Sequence, residues 1–233
     1  IFQYSEMAMF FFSPLLFTLC VGLYGTRTTA EICKDLVVTP ASLLVEHGRT
    51  AEATCSIPKK PVKEYILGWE SKSSQPNTYT ETSLTWKVDS LTNWEETEGL
   101  KCYLTTADDQ CEKRVNLTIY KRPDNVMLSS VSDVWIEGDQ TELTCQIDNV
   151  GPGHKFSVHW SRADPKQNNN FTIFNKMLLP DLVNEMKTVN VSVNLNVTAR
   201  REDDGVQYKC AAVLNRDPVL VMAESQTITI TVH

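Results

Sequence analysis

Residues 189–197 read Val-Asn-Val-Ser-Val-Asn-Leu-Asn-Val, a strict alternation of apolar and polar side chains. Side chains along a β-strand point to opposite faces in turn, so this run predicts a strand with one buried face and one wet face. Such a strand is typical of an antiparallel sandwich. The same parity recurs in two other segments, at Val115, Leu117 and Ile119 and at Ile228, Ile230 and Val232. Because nothing after residue 30 sustains a helical period over three turns, the sequence predicts an all-β protein.

The composition fits one or two packed globular domains and excludes a disordered or collagen-like chain. The 233 residues are 42% hydrophobic and 22% charged, with nine Gly and ten Pro. The formal net charge of -7 leaves no basic face for a phosphate backbone or an anionic bilayer. We therefore expect no nucleic-acid partner.

The first 30 residues have the pattern of a targeting segment. The run 9–22 is apolar and uncharged, and it is shorter than a transmembrane helix. The small-residue sequence Thr-Thr-Ala at 28–30 predicts cleavage after it and a mature chain that begins at Glu31. Residues 1–6 resemble short upstream read-through. The alternative, an uncleaved anchor, requires a longer apolar run.

The cysteines and the glycosylation sequons indicate the same export pathway. Once Cys20 is removed with the targeting segment, six cysteines remain, and their spacing matches no zinc site. An even number of cysteines in a secreted chain is expected to form disulfides. Four Asn-X-Ser/Thr sequons predict N-glycosylation, at Asn116, Asn170, Asn190 and Asn196.

The second half of the chain carries a distinctive combination of Cys, Trp and Tyr. Trp160 follows Cys145 by 15 positions, and Tyr208 lies two residues before Cys210. This combination resembles the immunoglobulin fold, in which a core Trp packs on a disulfide between two sheets and a Tyr lies at this position. The resemblance pairs Cys145 with Cys210, which are 65 residues apart (210 minus 145).

The first half repeats the plan in a shorter, seven-strand type of module. Trp69 follows Cys55 by 14 positions, and Cys102 follows Cys55 by 47 (102 minus 55). Leu100 stands where the second half has its Tyr. The same resemblance pairs Cys55 with Cys102.

The last two cysteines predict a third disulfide. Cys33 precedes the first predicted strand and Cys111 the last strand of the first domain, so the two could lie together at one end. Free thiols, the alternative, are uncommon in a secreted protein. The sequence therefore predicts two tandem immunoglobulin-like antiparallel β-sandwiches, over residues 31–120 and 121–233, after a cleaved signal peptide over residues 1–30.

The sequence contains no recognised catalytic or metal-binding motif. It has no nucleophile elbow, zinc-protease sequence, P-loop or dinucleotide-binding loop, and its four His are scattered. The acidic runs 95–98 and 202–204 lack the spaced oxygens of a calcium loop, so we expect a solvated turn at 95–98 and, at 202–204, the turn before Tyr208. Neither enzymatic activity nor a cofactor of the chain's own is expected.

Glu70 is the residue whose surroundings point to a function. Parity along residues 65–70 places Trp69 on one face of a strand and Gly68 and Glu70 on the other. If Trp69 lies in the core, Glu70 faces solvent at the end of the strand, beside a glycine that cannot crowd it. Taken alone, an exposed Glu in a strand usually serves only solubility.

The segment Leu67-Gly68-Trp69-Glu70-Ser71 resembles the end of strand C in the first domain of the intercellular adhesion molecules, where Gly-x-Glu-Thr/Ser carries the integrin-binding glutamate. Cys102-Tyr103, Gln110 and the segment 116–120 with its Pro-containing linker resemble later strands and the domain junction of that family. The resemblance implies that Glu70 completes the coordination of Mg²⁺ or Mn²⁺ held by a leukocyte integrin, with Tyr103 and Gln110 flanking it. A hard divalent cation with one open position requires an anionic oxygen, which a carboxylate on a rigid strand supplies.

Two positions depart from that family. Lys59 stands where its first domain usually has a Cys four residues after the strand B Cys, and Trp69 replaces a smaller apolar residue. The vascular cell adhesion molecules present an Asp in the loop after strand C instead, and residues 71–78 contain no Asp.

The resemblance implies a glycosylated cell-surface adhesion receptor of the immune system, anchored in the membrane by a region beyond residue 233. Self-association and a secreted form stay open. The alternative function is that of an immunoglobulin-superfamily receptor that binds another immunoglobulin domain through a sheet face, without metal.

Overall fold

The computed structural model describes residues 34–58, 64–73, 78–107, 110–166, 169–179, 186–218 and 220–233. The predicted signal peptide over 1–30 and Cys33 lie outside these residues. Within them the chain is built of short strands, with a one-turn helix at Glu96–Gly99 and 3₁₀ turns at Gly153–Lys155 and Arg201–Asp203. No helix in the described part of the chain is long and apolar enough to cross a membrane.

The strands divide into two consecutive groups. The first group is β1 (Val37–Thr39), β2 (Ser42–Glu46), β3 (Ala51–Ser56), β4 (Tyr65–Glu70), β5 (Thr78–Tyr79), β6 (Ser83–Val88), β7 (Lys101–Thr106), β8 (Gln110–Arg114) and β9 (Asn116–Tyr120). The second is β10 (Asn125–Ser130), β11 (Val134–Trp135), β12 (Gln140–Val150), β13 (Phe156–Ala163), β14 (Thr172–Leu178), β15 (Val189–Thr198), β16 (Gln207–Leu214), β17 (Leu220–Glu224), β18 (Ile228–Thr229) and β19 (Thr231–Val232).

Each group forms two facing sheets. In the first domain the sheets have the orders β1-β3-β6 and β5-β4-β7-β8, and in the second β10-β12-β15 and β14-β13-β16-β17, with β18 also paired to β16. Two further pairs, β2 with β9 and β11 with β19, are parallel, whereas the other described pairs are antiparallel. The predicted all-β fold of two tandem immunoglobulin-like sandwiches is confirmed, with a parallel pair added in each domain.

Alternation along the strands decides what is buried. In β15, Val191 and Val193 are buried while Asn190 and Asn196 are exposed, as the opening run of sequence predicts. The buried residues form two clusters, one from Leu36 to Ile119 and one from Tyr120 to Val232.

A Trp and a disulfide lie at the centre of each core. Trp69 lies directly opposite Cys102 in the β4–β7 ladder, and Trp160 opposite Cys210 in the β13–β16 ladder. The structure pairs Cys55 with Cys102, and it pairs Cys145 with Cys210, as the sequence predicts. Cys111 is also disulfide-bonded, but the predicted partner Cys33 lies outside the described residues, so that pairing stays a prediction.

The junction between the two domains is held by contacts on both sides. At the start of the second domain, the backbone N–H of Lys121 donates to the carbonyl of Gly151 at 2.7 Å, and that of Gly151 donates to the carbonyl of Lys121 at 3.2 Å. Arg122 pairs with Glu46 at 3.5 Å, and Leu44 of β2 packs against the core of the second domain. The predicted domain boundary between residues 120 and 121 therefore lies in a segment that contacts both sandwiches, and its exact position stays a prediction.

The acidic run at 95–98 differs from the expected solvated turn. Residues Glu96–Gly99 form a helical turn, and the side chain of Glu96 is fully buried. Neither of its carboxylate oxygens has a hydrogen-bond partner among the described residues. The sequence prediction was wrong for this residue because an acidic run gives no sign that one member turns inward when the turn becomes helical.

Candidate functional site

Glu70 ends the central strand of the sheet β5-β4-β7-β8, between two anchored neighbours. Trp69 is buried and its indole Nε1 donates to the carbonyl of Leu84 at 3.0 Å. On the other side, Ser71 accepts a hydrogen bond from Trp86 Nε1 at 3.0 Å. The side chains immediately before and after Glu70 are thus hydrogen-bonded to the opposite sheet, while 60% of the Glu70 side chain stays exposed.

The outer face of this sheet is made of three rows of cross-strand neighbours. Pairing in β4, β7 and β8 aligns Glu70 with Lys101 and Arg114 in one row, Gly68 with Tyr103 and Glu112 in the next, and Ile66 with Thr105 and Gln110 in the third. Directly opposed residues point to the same side of a sheet. Glu70, Tyr103 and Gln110 therefore share one face.

The spacing of the three predicted residues is unequal. With strands about 4.8 Å apart and about 3.4 Å per residue along a strand, the backbone at Tyr103 lies roughly 8 Å from that at Glu70, and Gln110 lies roughly 17 Å away. The structure thus brings Tyr103 beside Glu70 but does not bring Gln110 next to it. Gln110 is exposed in the third row, on the same face.

Gly68 is needed because of Tyr103. A Cβ added at Gly68 would lie 2.4 Å from both Cζ and Oη of the Tyr103 side chain, well inside a normal contact. The tyrosine ring occupies the space that any other residue at position 68 would fill. The glycine of the Gly-x-Glu sequence therefore lets an aromatic ring lie flat across the strand that carries Glu70.

Glu70 is not isolated, because Lys101 reaches it from the adjacent strand. The Lys101 ammonium lies 3.2 Å from Glu70 Oε2 and 2.7 Å from Glu112 Oε2. Arg114 lies 3.9 Å from the other oxygen of Glu112. The carboxylates of two strands thus share one ammonium group on the strand between them.

Charge coupling in this group shifts two pKa values. The hydrogen bond to Glu112, and after it the one to Glu70, raises the pKa of Lys101 above its usual value. The hydrogen bond from Lys101 lowers the pKa of Glu112. Both side chains are accessible to water, so these shifts describe a screened surface network.

Glu70 also lines an open cleft of about 470 Å³. The other lining residues are mainly charged, and one of them belongs to the second domain: Lys72, Glu95, Glu98, Gly99, Lys101, Arg114 and Met186. Both acidic and basic side chains line the cleft. Glu70 therefore lies at the side of the first domain that faces the second.

The chain does not offer a metal site of its own in the described ranges. No group of three or more His, Cys, Asp and Glu lies close enough there to hold an ion. Glu70 supplies one accessible carboxylate, which suits a single ligand to a cation whose remaining ligands come from another molecule.

The predicted glycosylation sites all have exposed side chains, at Asn116, Asn170, Asn190 and Asn196. Asn190 and Asn196 lie on the outer face of β15, opposite the core. The Oδ1 atom of Asn190 accepts a hydrogen bond from the backbone N–H of Asn149 at 2.8 Å, which leaves its amide nitrogen outside that bond. Exposure is compatible with modification, and glycosylation stays a prediction.

Sequence reasoning missed three participants in the surroundings of Glu70. Parity places Lys101 on the face of Tyr103, and Glu112 on that of Gln110, so their orientation could have been read from the sequence. The strand register, which brings both to the Glu70 end of the sheet, could not. Met186 carries no sequence signal at all, because only the packing of the two domains brings it to the cleft.

Comparison with known proteins gives similarity to one group of adhesion molecules. No protein-family model matches the chain. Intercellular adhesion molecule 1 of Pan troglodytes and that of Pan paniscus are each 25% identical to it over 138 residues, which is 54% of this chain and 23% of each relative. By name, both relatives are adhesion molecules.

A solved structure extends the similarity to the fold. The D1–D4 ectodomain fragment of ICAM-5 matches with a TM-score of 0.53 and 17% identity, over 84% of this chain and 50% of that one. The chain thus spans half of that fragment and less than a quarter of the sequence relatives. The resemblance to intercellular adhesion molecules is confirmed by sequence and by fold.

Proposed function

We propose that this chain, an ectodomain of two immunoglobulin domains similar to the intercellular adhesion molecules, is an adhesion receptor that binds a leukocyte integrin through Glu70. In this proposal Glu70 donates one carboxylate oxygen to a magnesium or manganese ion held by the integrin. Tyr103 contributes contact area beside it, and Gln110 extends the contact along the same sheet face. The protein acts at the outer surface of the plasma membrane, with its asparagine sequons glycosylated.

The observation that carries the proposal is an exposed carboxylate on an immobilised backbone. Trp69 and Ser71 are both bonded to the opposite sandwich layer, so little ordering entropy is lost when Glu70 binds. The Tyr103 ring beside it offers a flat, amphipathic surface of the kind enriched at the centres of protein interfaces. A single carboxylate cannot hold a divalent ion alone, which agrees with an ion supplied by the partner.

The proposal is tested by adhesion of leukocytes to the immobilised chain in magnesium and in EDTA. Wild type is compared with Glu70→Gln, which preserves the shape of the side chain and removes its charge. Glu52→Gln is the matched control, because Glu52 is an exposed glutamate on β3 in the opposite sheet. We expect adhesion in magnesium to be lost with EDTA and with Glu70→Gln, and to be kept with Glu52→Gln.

Two other outcomes contradict the proposal. Adhesion that is indifferent to EDTA and to Glu70→Gln would favour binding between immunoglobulin domains through a sheet face. Equal loss with Glu70→Gln and Glu52→Gln would indicate a general effect of surface charge and not a specific ligand.

A further inference from the structure

Lys101 is a charged neighbour of Glu70, and its ammonium group is shared with Glu112. Its ammonium group lies 3.2 Å from Glu70 Oε2 and 2.7 Å from Glu112 Oε2, with Arg114 lending weaker support to Glu112 at 3.9 Å. Only 22% of the Lys101 side chain is exposed, so its stem is held against the sheet and the ammonium has a restricted range. Glu70, Lys101 and Glu112 lie on three adjacent strands, β4, β7 and β8.

We propose that Lys101 is a positioning residue that competes with the partner's cation for Glu70, and that Glu112 weakens this competition by holding the Lys101 ammonium. The inference rests on the proposed function of Glu70. In this proposal Lys101 weakens the contact between Glu70 and the partner's cation, and Glu112 strengthens it.

The physical reason is that the Lys101 ammonium can no longer pair equally with Glu70 and Glu112 once a divalent cation binds Glu70. A divalent ion bound through the free Glu70 oxygen at about 2.1 Å would lie roughly 5 Å from the Lys101 ammonium, where like charges repel. The cation therefore binds more strongly when the ammonium moves away from Glu70. Glu112 offers the place to which it moves, since it is already the closer of the two carboxylates.

On this basis, each substitution is expected to change the affinity of the contact in a definite direction. Lys101→Met keeps the apolar stem and removes the competing charge, so the contact is expected to tighten by about two- to fivefold, the range of exposed ion pairs. Glu112→Gln releases the ammonium to Glu70 and is expected to weaken the contact by a similar factor. The double variant should behave like Lys101→Met, because Glu112 acts only through Lys101.

The experiment measures the dissociation constant between each variant and the magnesium-loaded leukocyte integrin at low and high ionic strength. Lys113→Met is the matched control, because it makes the same substitution on β8, one residue from Glu112. By parity the Lys113 side chain lies on the opposite face of the strand from Glu112. Its effect should be smaller than that of Lys101→Met. Both effects should diminish at high salt, because exposed charges are screened.

The outcomes separate this inference from the function on which it rests. Suppose that Glu70→Gln abolishes binding, but Lys101→Met and Glu112→Gln change the affinity in the same direction, or by no more than Lys113→Met does. The proposed competition by Lys101 is then overturned, and the integrin contact through Glu70 stands. If Glu70→Gln leaves binding unchanged, both are overturned. Opposite signs together with a double variant that matches Lys101→Met support the proposal.

Discussion

The substitution Gly68→Ala tests how the tyrosine ring is held beside Glu70. A Cβ at position 68 would lie 2.4 Å from the Cζ and Oη atoms of Tyr103, whereas nonbonded carbon atoms rest about 3.5–4.0 Å apart. The ring must therefore move by more than about 1 Å. The atoms that clash are at the far end of a partly exposed side chain, so the ring can swing outward without deforming the backbone.

The cost is expected to be moderate in stability and larger in binding. A displaced side chain forced from its preferred rotamer costs about 0.5–1.5 kcal/mol, below the 1–3 kcal/mol of overpacking in a rigid core. The unfolding midpoint of the first domain should fall by roughly 2–12 °C. Under the proposed function, integrin binding should weaken more than the loss of stability predicts, because the contact surface beside Glu70 is moved.

The assay is a double-mutant cycle that combines Gly68→Ala with Tyr103→Ala. Each of the four variants is measured by thermal unfolding and by binding. With the ring removed, the added methyl group meets nothing from Tyr103, so Gly68→Ala should be close to neutral in the Tyr103→Ala background. A stability loss of the same size in both backgrounds would refute the assignment of Gly68 to the tyrosine ring. A loss well above 3 kcal/mol would show that the backbone, not the ring, gives way.

Three further predictions concern the cores and the surface network. Replacing both Cys145 and Cys210 by Ala removes a disulfide that closes a loop with a sequence separation of 65. The free energy of unfolding of the second domain, measured by chemical denaturation, should fall by about 2–5 kcal/mol. An unchanged denaturation midpoint would contradict the buried position of this bond. Glu96→Leu removes a buried carboxylate that has no hydrogen-bond partner among the described residues, and it should raise the free energy of unfolding by about 1–3 kcal/mol, with Glu98→Leu as the exposed-turn control. A loss of stability would show that Glu96 has a partner such as bound water. Lys101 lowers the pKa of Glu112, and Glu112 raises the pKa of Lys101. Their mutual stabilisation is therefore fully present between pH 4.5 and pH 10.5, the usual pKa values of the two groups. It is lost as the pH falls through the lowered pKa of Glu112 or rises through the raised pKa of Lys101. The small difference in unfolding midpoint between wild type and Glu112→Gln should therefore shrink as the pH falls below 4.5 and disappear once the pH is below the lowered pKa of Glu112, and a difference that grows in acid would contradict this sign.

Much of the fold was readable because a strand imposes a period of two on its side chains. The alternation in β15, the Cys and Trp positions and the turn spacing all report on local geometry, and local geometry is what a sequence encodes most directly. Glu70 could be placed on an exposed face by the same reasoning, since a buried Trp69 fixes the side to which its neighbour points.

The surroundings of Glu70 required the register between strands. Lys101 is 31 residues from Glu70 along the chain (101 minus 70), and only the pairing of β4 with β7 sets the two side by side. The same register leaves Gln110 two rows away, which the family resemblance alone did not reveal. A sequence gives the face of each residue, but the row in which it lies depends on how strands slide past one another.

The sequence by itself thus determined the class of fold, the two disulfides at the centres of the sandwiches and the orientation of Glu70, because each follows from alternation or from a residue combination within one domain. Only the tertiary structure decided that Tyr103 fills the space over Gly68, that Lys101 divides its charge between two carboxylates, and that Glu96 turns inward. These depend on distances of a few ångströms between segments far apart in the chain, and such distances are fixed by packing, which no local pattern records.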